Sequence, residues 1–199
     1  MVETERRRAI EDAASALFRE RGYAATSVRD IARAVDLQGA SLYAHVSSKQ
    51  DVLWAIVDQT AVRFEAAADE AAGAARDPGS CLAALIRGHL AVLVDDPERA
   101  SVFIHEWRAL EGERRATISE RRDAYERRFR ETIAAGTAAG TFDPVDPVAA
   151  AAFLLTALNG LVAWYRPDGP LDPAALVDAY VDLALRAVGL PSAVGQAAR

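Results

Sequence analysis

Hydrophobic residues recur at intervals of three and four along most of this 199-residue chain, the spacing that gives an α-helix one buried face. Turn-forming residues, mainly Gly, Pro and Asp, separate the periodic segments, and runs of β-branched residues are few. This pattern predicts an all-α protein. The predicted helices span residues 5–21, 28–35, 38–45, 49–72, 80–94, 97–110, 113–139, 147–166 and 173–188.

Residues 27–46 are predicted to form two short helices that meet at a tight turn, with polar residues concentrated on the second. Ser27 is the predicted N-cap of the first helix, and Asp30 supplies the acidic half of a capping box. Asp36 falls at the sharpest point of the turn, where a positive φ is usual. On the second helix Leu42 points inward, so its polar neighbours point outward. A helix-turn-helix protein presents such a helix to the major groove of DNA.

The order of residues along the second helix predicts which side chains contact DNA. The N-terminal residues of a recognition helix meet base edges, which assigns Gln38 and Ser41 to the bases. Flanking side chains hold the backbone, which assigns Tyr43, His45 and Lys49 to phosphates. The predicted DNA-contacting residues are Ser27, Arg29, Gln38, Gly39, Ser41, Tyr43, His45 and Lys49.

Several residues of this region, at these intervals, resemble the signature of the TetR family of one-component bacterial repressors. They are Thr26, Ile31-Ala32, Leu42-Tyr43, His45 and Ser48-Lys49. Two positions depart from the family pattern: Asp36 stands where Gly is most frequent, and Val46 where Phe is common. The predicted domains are a three-helix DNA-binding domain over 1–48, a helical ligand-binding and dimerisation domain over 49–190, and a flexible tail over 191–199.

The net charge of −6 and the pI near 5.1 argue against a protein that coats nucleic acid indiscriminately. The charge is unevenly distributed, because residues 1–50 carry +1 and the remaining residues carry −7. Phosphate affinity is local, whereas an acidic remainder weakens random binding. A mildly basic head on an acidic body fits a DNA binder that is selective.

The sequence offers little material for catalysis. It has three His, a single Cys at position 81, and neither a Gly-rich phosphate loop nor a nucleophile elbow. We therefore expect no enzyme, no metal site and no cofactor. Cys81 cannot form an internal disulfide, and no signal-peptide pattern precedes the first helix, so a cytoplasmic protein is expected.

Residues 148–165 contain no charged side chain, and their 18 positions are about the lower limit for a membrane-spanning helix. The stretch is rich in Ala and is interrupted by Thr156 and Asn159, so we predict a buried helix and no membrane association. The predicted helices 147–166 and 173–188 are apolar on two sides. This surface predicts a homodimer that forms through these two helices.

Aromatic and polar residues of the body suit a small-molecule site, but the same residues are typical of an ordinary core, and patterning alone does not separate the two. Arg121 and Arg122 lie on an inward line of their helix, where they either neutralise Glu106 or meet an anionic ligand. His89, on an apolar stripe, is either a hydrogen-bonded core residue or a ligand contact. The candidate ligand-binding residues are Phe103, Trp107, Arg121, Arg122, Tyr125, Asn159, Trp164 and Arg166.

A narrower resemblance concerns the segments 103–110, 121–142 and 158–171, which look like the C-terminal half of TetR repressors that sense coenzyme A thioesters. It implies an effector of this class, with apolar helices around the acyl part. It also implies that arginines such as Arg121, Arg122 or Arg166 meet the carboxylate or phosphates.

The resulting hypothesis is a homodimeric, ligand-responsive DNA-binding regulator, a repressor released from a palindromic operator by a small-molecule effector. Linkage requires that DNA and effector weaken each other's binding equally. The alternative is a ligand-independent architectural DNA-binding protein, and the sequence does not separate a repressor from an activator.

Overall fold

The computed structural model describes residues 2–143 and 145–189, and within these ranges the secondary structure is helical with no strand. The predicted all-α fold is confirmed. The helices are α1 (Val2–Arg21), α2 (Val28–Ala34), α3 (Gly39–Leu42), α4 (Lys49–Ala74), α5 (Pro78–Asp95), α6 (Pro97–His105), a 3₁₀ turn (Trp107–Ala109), α7 (Gly112–Ala138), α8 (Pro147–Asn159), α9 (Leu161–Trp164) and α10 (Pro173–Ala187).

The chain forms two compact units. The first contains the residues up to 62 together with 96–121, and the second contains 63–95 together with the residues from 122 onward. Two helices, α4 and α7, therefore contribute residues to both units. The boundary at residue 48 separates the predicted DNA-binding domain from the predicted ligand-binding domain, which is a functional division. It stays a prediction.

In the first unit α1 packs against α2 and α6, and α2 packs against α3. Ile10, Ala14 and Phe18 line the inner face of α1 and are almost completely buried, as are Ile31 on α2 and Leu42 on α3. These residues are the apolar stripe that the three- and four-residue spacing predicts. The short α2 and α3 are thus held by tertiary packing, because helices of seven and four residues are not stable by themselves.

In the second unit α5 packs against α10 and α8. One stripe of α5, containing Leu82, Ile86, Leu90 and Leu93, is buried. The opposing helices bury fewer large side chains. Their buried residues are Ala151, Leu154 and Leu158 on α8, Leu161 and Val162 on α9, and Val181 and Ala184 on α10.

Four of the helices, α5, α6, α8 and α10, begin with an Asp-Pro pair. The carboxylates of Asp77, Asp96, Asp146 and Asp172 each accept a hydrogen bond of 2.8 to 3.0 Å from a backbone N–H of the first turn. The following Pro fits because its missing N–H would have no partner inside the helix. The predicted cap at Asp172 is confirmed, so the starts of these helices are fixed locally.

Several predicted boundaries are corrected. The first helix begins at Val2 rather than residue 5, and the helix predicted over 97–110 ends at His105 and is followed by the 3₁₀ turn. The helix predicted over 147–166 is interrupted at Gly160 and ends at Trp164. The predicted tail, 191–199, lies outside the described residues.

Two segments, Pro78–Asp95 and Pro147–Trp164, have the length and hydropathy of a membrane-spanning helix. Length and composition are weak grounds for such an assignment, since the core helix of a soluble protein meets the same criteria. The first segment is α5, whose apolar stripe lies in the core of the second unit.

Candidate DNA interface and effector site

The start of α2 has the predicted capping box. Ser27 is the N-cap, and its hydroxyl oxygen accepts a hydrogen bond from the backbone N–H of Asp30 at 3.2 Å. The Asp30 carboxylate in turn accepts one from the backbone N–H of Ser27 at 2.9 Å. Hydrogen bonds from the Ser27 hydroxyl and N–H hold the pKa of Asp30 below its usual value. The cap fixes where α2 begins and therefore where the turn after it falls.

The turn between α2 and α3 contains the predicted left-handed residue. Asp36 has a φ of 55°, the sole positive φ of a non-glycine residue in the described chain. The backbone N–H of Leu37 donates to the carbonyl of Ala32 at 2.8 Å, which closes the end of α2. An L-residue other than Gly adopts this conformation at some strain, and Asp tolerates it better than most. The turn therefore forms with Asp at the position where Gly would be unstrained.

The second helix of the motif is shorter than predicted. It covers Gly39–Leu42 instead of residues 38–45, and Gln38 is its N-cap with an extended backbone and no capping hydrogen bond from its side chain. Leu42 points inward as predicted, with an exposure of 1%, and Val46 is also buried, with an exposure of 5%. The residues after Leu42 continue as turns, because the N–H of Ala44 bonds the carbonyl three residues back.

The predicted DNA-contacting residues differ in exposure. Arg29, Gln38, Ser41 and Tyr43 are exposed, and the exposed fraction of Tyr43 is 56%. His45 and Lys49 are half-buried, Ser27 is exposed but its hydroxyl belongs to the cap, and Gly39 opens α3. Three of these exposed residues, Gln38, Ser41 and Tyr43, lie on α3 or directly beside it, the helix that the motif would place in the major groove of DNA. Contact with DNA by these eight residues stays a prediction.

Lys49 has a structural role that the sequence did not indicate. Its Nζ donates to the backbone carbonyls of Tyr23 and Thr26 at 2.8 Å each and lies 4.0 Å from the centre of the Tyr23 ring. The ammonium thus ties the start of α4 to the connection between α1 and α2. Two of its three N–H donors are used, which leaves one for a phosphate.

Arg99 of α6 forms a buried charged cluster in the first unit. Its guanidinium pairs with Asp12 at 2.8 Å, Glu11 at 3.3 Å and Asp96 at 3.4 Å, and it donates to Gln59 Oε1 at 3.0 Å. The Arg99 and Glu11 side chains are only 10% and 5% exposed. Burial opposes the charge on Arg99, but Asp12 and Glu11 outweigh it, so the pKa of Arg99 lies above its usual value. This cluster, which the sequence analysis missed, joins α1, α4 and α6.

The second unit contains a buried cluster of neutral polar groups centred on His89. The Nδ1 atom of its imidazole lies 3.1 Å from the Tyr125 hydroxyl, and the Phe64 ring lies 4.8 Å from the imidazole centre. Burial, with a smaller contribution from the Arg122 charge, lowers the pKa of His89 to about 3, although the side chain of Asn159 favours the protonated ring. Nε2 has no partner at hydrogen-bonding distance in the described chain. His89 is therefore a neutral imidazole whose Nε2 makes no hydrogen bond of regular geometry within the described residues, although the Asn159 side chain acts on the ring.

The structure brings together three of the predicted ligand-binding residues, Tyr125, Asn159 and Arg122, which all act on His89. The other two from this unit lie on its surface. Trp164 is 46% exposed, with its ring 6.4 Å from that of Tyr180, and Arg166 donates to the Tyr165 carbonyl at 3.3 Å.

Three further candidates, Phe103, Trp107 and Arg121, belong to the first unit. Phe103 and Trp107 are buried there. The guanidinium of Arg121 pairs with Asp58 at 2.6 Å. Neutralisation of Glu106 by Arg121 or Arg122 stays a prediction. Whether any of these side chains contacts a ligand stays a prediction.

A groove of about 820 Å³ also lies in the second unit, against α4, α5 and α10. Small apolar residues form most of its wall, and the ion pair of Arg87 with Asp178, at 2.6 Å, lies at its edge. Its volume falls in the usual range of small-molecule sites. None of the predicted ligand-binding residues lines it.

Comparison with known proteins covers both parts of the chain. Residues 10–56 match the bacterial regulatory proteins of the tetR family, and residues 75–188 match the tetracyclin repressor-like C-terminal domain. The HTH-type transcriptional repressor KstR2 of Rhodococcus jostii (strain RHA1) is 28% identical over 192 residues, which cover 94% of this chain and 92% of that protein.

Solved structures extend the similarity to the whole fold. The ketosteroid transcriptional regulator KstR2 of Mycobacterium tuberculosis superposes with a TM-score of 0.87 at 25% identity, over 92% of this chain and 94% of that one. AibR, solved in complex with isovaleryl coenzyme A and operator DNA, superposes with a TM-score of 0.78 at 30% identity, over 89% and 97%. TetR regulators are helix-turn-helix proteins that bind operator DNA as dimers. The capped α2, the left-handed turn and the short α3 lie within the first match, and the second match covers most of the remaining chain. This chain therefore belongs to the TetR family of transcriptional regulators.

Proposed function

We propose that this protein is a homodimeric repressor that holds a near-palindromic operator and releases it when an acyl-CoA ester binds its second unit. The observation that carries the proposal is the helix-turn-helix of α2 and α3, with its capping box, left-handed turn and exposed polar residues. Two copies would place their recognition helices in successive major grooves, about 34–36 Å apart. The protein would act in the cytoplasm, without catalysis, metal or cofactor.

The exposed polar residues at α3 support specific binding to DNA. Gln38 and Ser41, at its start, suit hydrogen bonds to base edges, since an amide can pair with adenine in a bidentate manner. Tyr43, His45 and Lys49 follow, where phosphate contacts would fix the register. The capped start of α2 and the Lys49 contacts hold these groups in place before DNA arrives.

The surface of α8 to α10 supports the proposed dimer. Phe153 on α8 and Leu183 on α10 are each 62% exposed, the highest values among the large hydrophobic residues of the described chain. Most of their exposed neighbours are small, so two copies could approach closely. The exposed residues of this surface are Val148, Ala152, Phe153, Thr156, Ala157, Ala163 and Trp164 on α8 and α9, and Ala175, Ala179, Leu183 and Ala187 on α10.

The His89 cluster supports an effector contact in the second unit. A buried polar atom without a partner, such as Nε2 of His89, is uncommon in native proteins and requires an explanation. If the Tyr125 hydroxyl donates to Nδ1, the neutral ring carries its proton on Nε2 and can donate to a carbonyl such as that of a thioester. The Phe64 and Phe129 rings beside the imidazole suit an apolar acyl chain. The isovaleryl coenzyme A bound to AibR is a ligand of this class.

Helices α4 and α7 could transmit effector binding from the second unit to the helix-turn-helix, because each is continuous between the two units. Each helix has residues in the unit that contains the helix-turn-helix and in the unit that contains His89. An effector shifts the equilibrium only if it binds one conformation better than the other. Helix α4, which begins at the Lys49 contacts, is the proposed carrier of the shift.

The experiment is a mobility shift on operator DNA selected from random duplexes, with short-chain, branched and steroid-derived acyl-CoA esters added in turn. We expect sequence-selective binding and release by at least one ester class. No release by any ester would reject the effector class, and no selectivity would reject the repressor. A thermal shift produced by an ester also separates this protein from a ligand-independent architectural DNA binder.

Two variants test the residue assignments. Gln38→Ala should change the preferred operator sequence, and Tyr43→Phe together with Lys49→Ala should weaken binding to every sequence and lower its salt dependence. Unchanged preference in Gln38→Ala would mean that this side chain does not read a base. Phe153→Glu should give a monomer in sedimentation, and an intact dimer would place the interface elsewhere.

A further inference from the structure

A cavity of about 560 Å³ lies in the first unit, at the junction of the 3₁₀ turn and the first two turns of α7. It is separate from the exposed residues of α3 and from the His89 cluster. Its lining combines two arginines and a serine with one tryptophan. The lining residues are Trp107, Arg108, Gly112, Arg115, Ala116 and Ser119.

The polar residues of this cavity come from a single helix face and the turn before it. Arg115 and Ser119 are four residues apart on α7, so they lie on one face. Gly112 and Ala116, on the same face, leave open space, and nothing lies within 4 Å of the point where a Cβ of Gly112 would stand. This face of α7 therefore contributes a guanidinium and a hydroxyl to the cavity, and its other lining residues, Gly112 and Ala116, are small.

Arg108 approaches the cavity from the 3₁₀ turn. The centre of its guanidinium lies 4.7 Å from the centre of the Trp107 ring, whose side chain is buried. A cation held over an aromatic face is partly ordered before any ligand binds. Arg108 therefore loses less conformational freedom on binding than an ordinary surface arginine.

Neither Arg108 nor Arg115 has an ion pair with a carboxylate in the described ranges, 2–143 and 145–189. Their neighbours do: Arg114 pairs with Asp51 and Arg121 with Asp58, each at 2.6 Å. The carboxylate of Glu111, between the two arginines in sequence, acts on Tyr23, whose pKa it helps to raise. Two uncompensated positive charges thus share a cavity in a chain whose net charge is −6.

We propose that this cavity is a binding site for the phosphate group of a small organic phosphate. Two guanidinium groups and a hydroxyl suit a dianion with several acceptor oxygens, whereas a carboxylate is satisfied by a single guanidinium. A concave volume of this size fits a small molecule better than the convex backbone of a duplex. The site goes beyond the proposed operator and effector binding, and it depends on neither.

The test is calorimetric titration of the full-length protein with ADP, pyrophosphate, inorganic phosphate and succinate at low ionic strength. The variant is Arg108→Gln combined with Arg115→Gln. The matched control is Arg76→Gln, which removes another exposed arginine, from the connection between α4 and α5. Far-ultraviolet circular dichroism confirms that all three proteins are folded.

We expect at least one phosphate compound to bind the wild type and the Arg76→Gln control alike, and to bind the double variant at least tenfold more weakly. ADP binding without inorganic phosphate binding would identify an organic phosphate as the ligand, and binding of both would identify the phosphate group alone. Succinate should bind more weakly than either.

Three outcomes overturn the proposal: no phosphate compound binds the wild type, the double variant binds phosphate compounds as tightly as the wild type does, or succinate binds as tightly as the phosphate compounds do. Operator affinity is measured in parallel. If small phosphates do not bind and the salt slope of operator affinity falls by about two units in the double variant, the arginines contact the DNA backbone instead.

Discussion

The two units each bury one polar cluster, and the clusters differ in charge. In the first unit Arg99 is surrounded by Glu11, Asp12 and Asp96, all ionisable and joined by hydrogen bonds. In the second unit His89 and Tyr125 share a hydrogen bond among aromatic rings, and both are neutral at physiological pH, because burial lowers the pKa of the first and raises that of the second.

The difference indicates two kinds of mechanical behaviour. A buried charge needs its partners at close distances, so the Arg99 cluster holds α1, α4 and α6 in one arrangement. Rearranging a neutral cluster between aromatic rings costs less free energy than separating buried charges. Nε2 of His89 is also available for a hydrogen bond to another group. The rigid cluster lies in the unit with the DNA-binding motif, and the adaptable one lies where the effector is proposed.

The largest loss of stability is expected when Arg99, the central residue of the charged cluster, is replaced. Arg99→Met would leave the buried Glu11 carboxylate with Arg7, which is half exposed and lies at 3.1 Å, as its remaining cation. The loss of the buried guanidinium should lower the free energy of unfolding by about 3 kcal/mol, the lower end of the range for a broken buried pair. Urea denaturation measures the loss. The control is Arg63→Met, which removes an exposed ion pair with Asp95 and should lose at most about 1 kcal/mol. Equal losses in the two variants would contradict the rigid role of the cluster.

The burial of His89 in the neutral cluster should make the free energy of unfolding depend on pH. The pKa of His89 is about 3 in the folded protein and 6.5 in the unfolded chain, so the unfolded state takes up a proton as pH falls below 6.5 and the folded state does not. Stability from this group is thus fully present above pH 6.5 and falls by about 1.4 kcal/mol per pH unit below it.

His89→Gln tests this dependence. Between pH 7 and pH 5 the wild type should lose about 2 kcal/mol more of its unfolding free energy than the variant, as measured in urea. His105→Gln, at an exposed position of α6, should behave like the wild type. If all three proteins lose stability equally on acidification, His89 is not held neutral by burial.

Within the charged cluster, burial should matter more than distance. Asp12 lies closer to Arg99 than Glu11 does, 2.8 against 3.3 Å, but its side chain is 54% exposed and that of Glu11 is 5% exposed. Glu11→Gln should therefore lower the free energy of unfolding by about 1–3 kcal/mol, and Asp12→Asn by less than about 1 kcal/mol. The reverse order would show that the shorter contact dominates.

The smallest change in stability is expected at Asp36, in the turn between α2 and α3 of the first unit. Asp36→Gly should raise the free energy of unfolding by about 0.5–1 kcal/mol, because Gly adopts a φ of 55° without strain. Differential scanning calorimetry should show an increase in Tm of a few degrees. Asp36→Ala keeps the Cβ and should lower the Tm, so an equal increase in both variants would rule out relief of strain.

The sequence predicted what depends on near neighbours. The capping box of Ser27 with Asp30 and the positive φ of Asp36 involve residues within a few positions of one another. Helix positions followed from the apolar period for the same reason. The ends were less accurate where packing decides them, as in the short α3.

The polar clusters were harder to predict because their partners are distant in sequence. Arg99 and Asp12 are 87 positions apart, and a charged residue in a periodic helix is usually assigned to solvent. The candidate ligand residues were chosen by composition, which does not distinguish a buried ring from an exposed one. Trp164 proved to be exposed, whereas Tyr125 and Asn159 did gather around His89.

Helix α4 limits how this chain can change in length. Its first half buries Val52, Leu53 and Ile56, and its second half buries Phe64 and Ala68. One inserted residue would turn every later side chain by about 100° about the helix axis and move it by about 1.5 Å. Phe64 and Ala68 would then leave their core, so insertions and deletions are compatible with folding in the connections but not in the middle of α4.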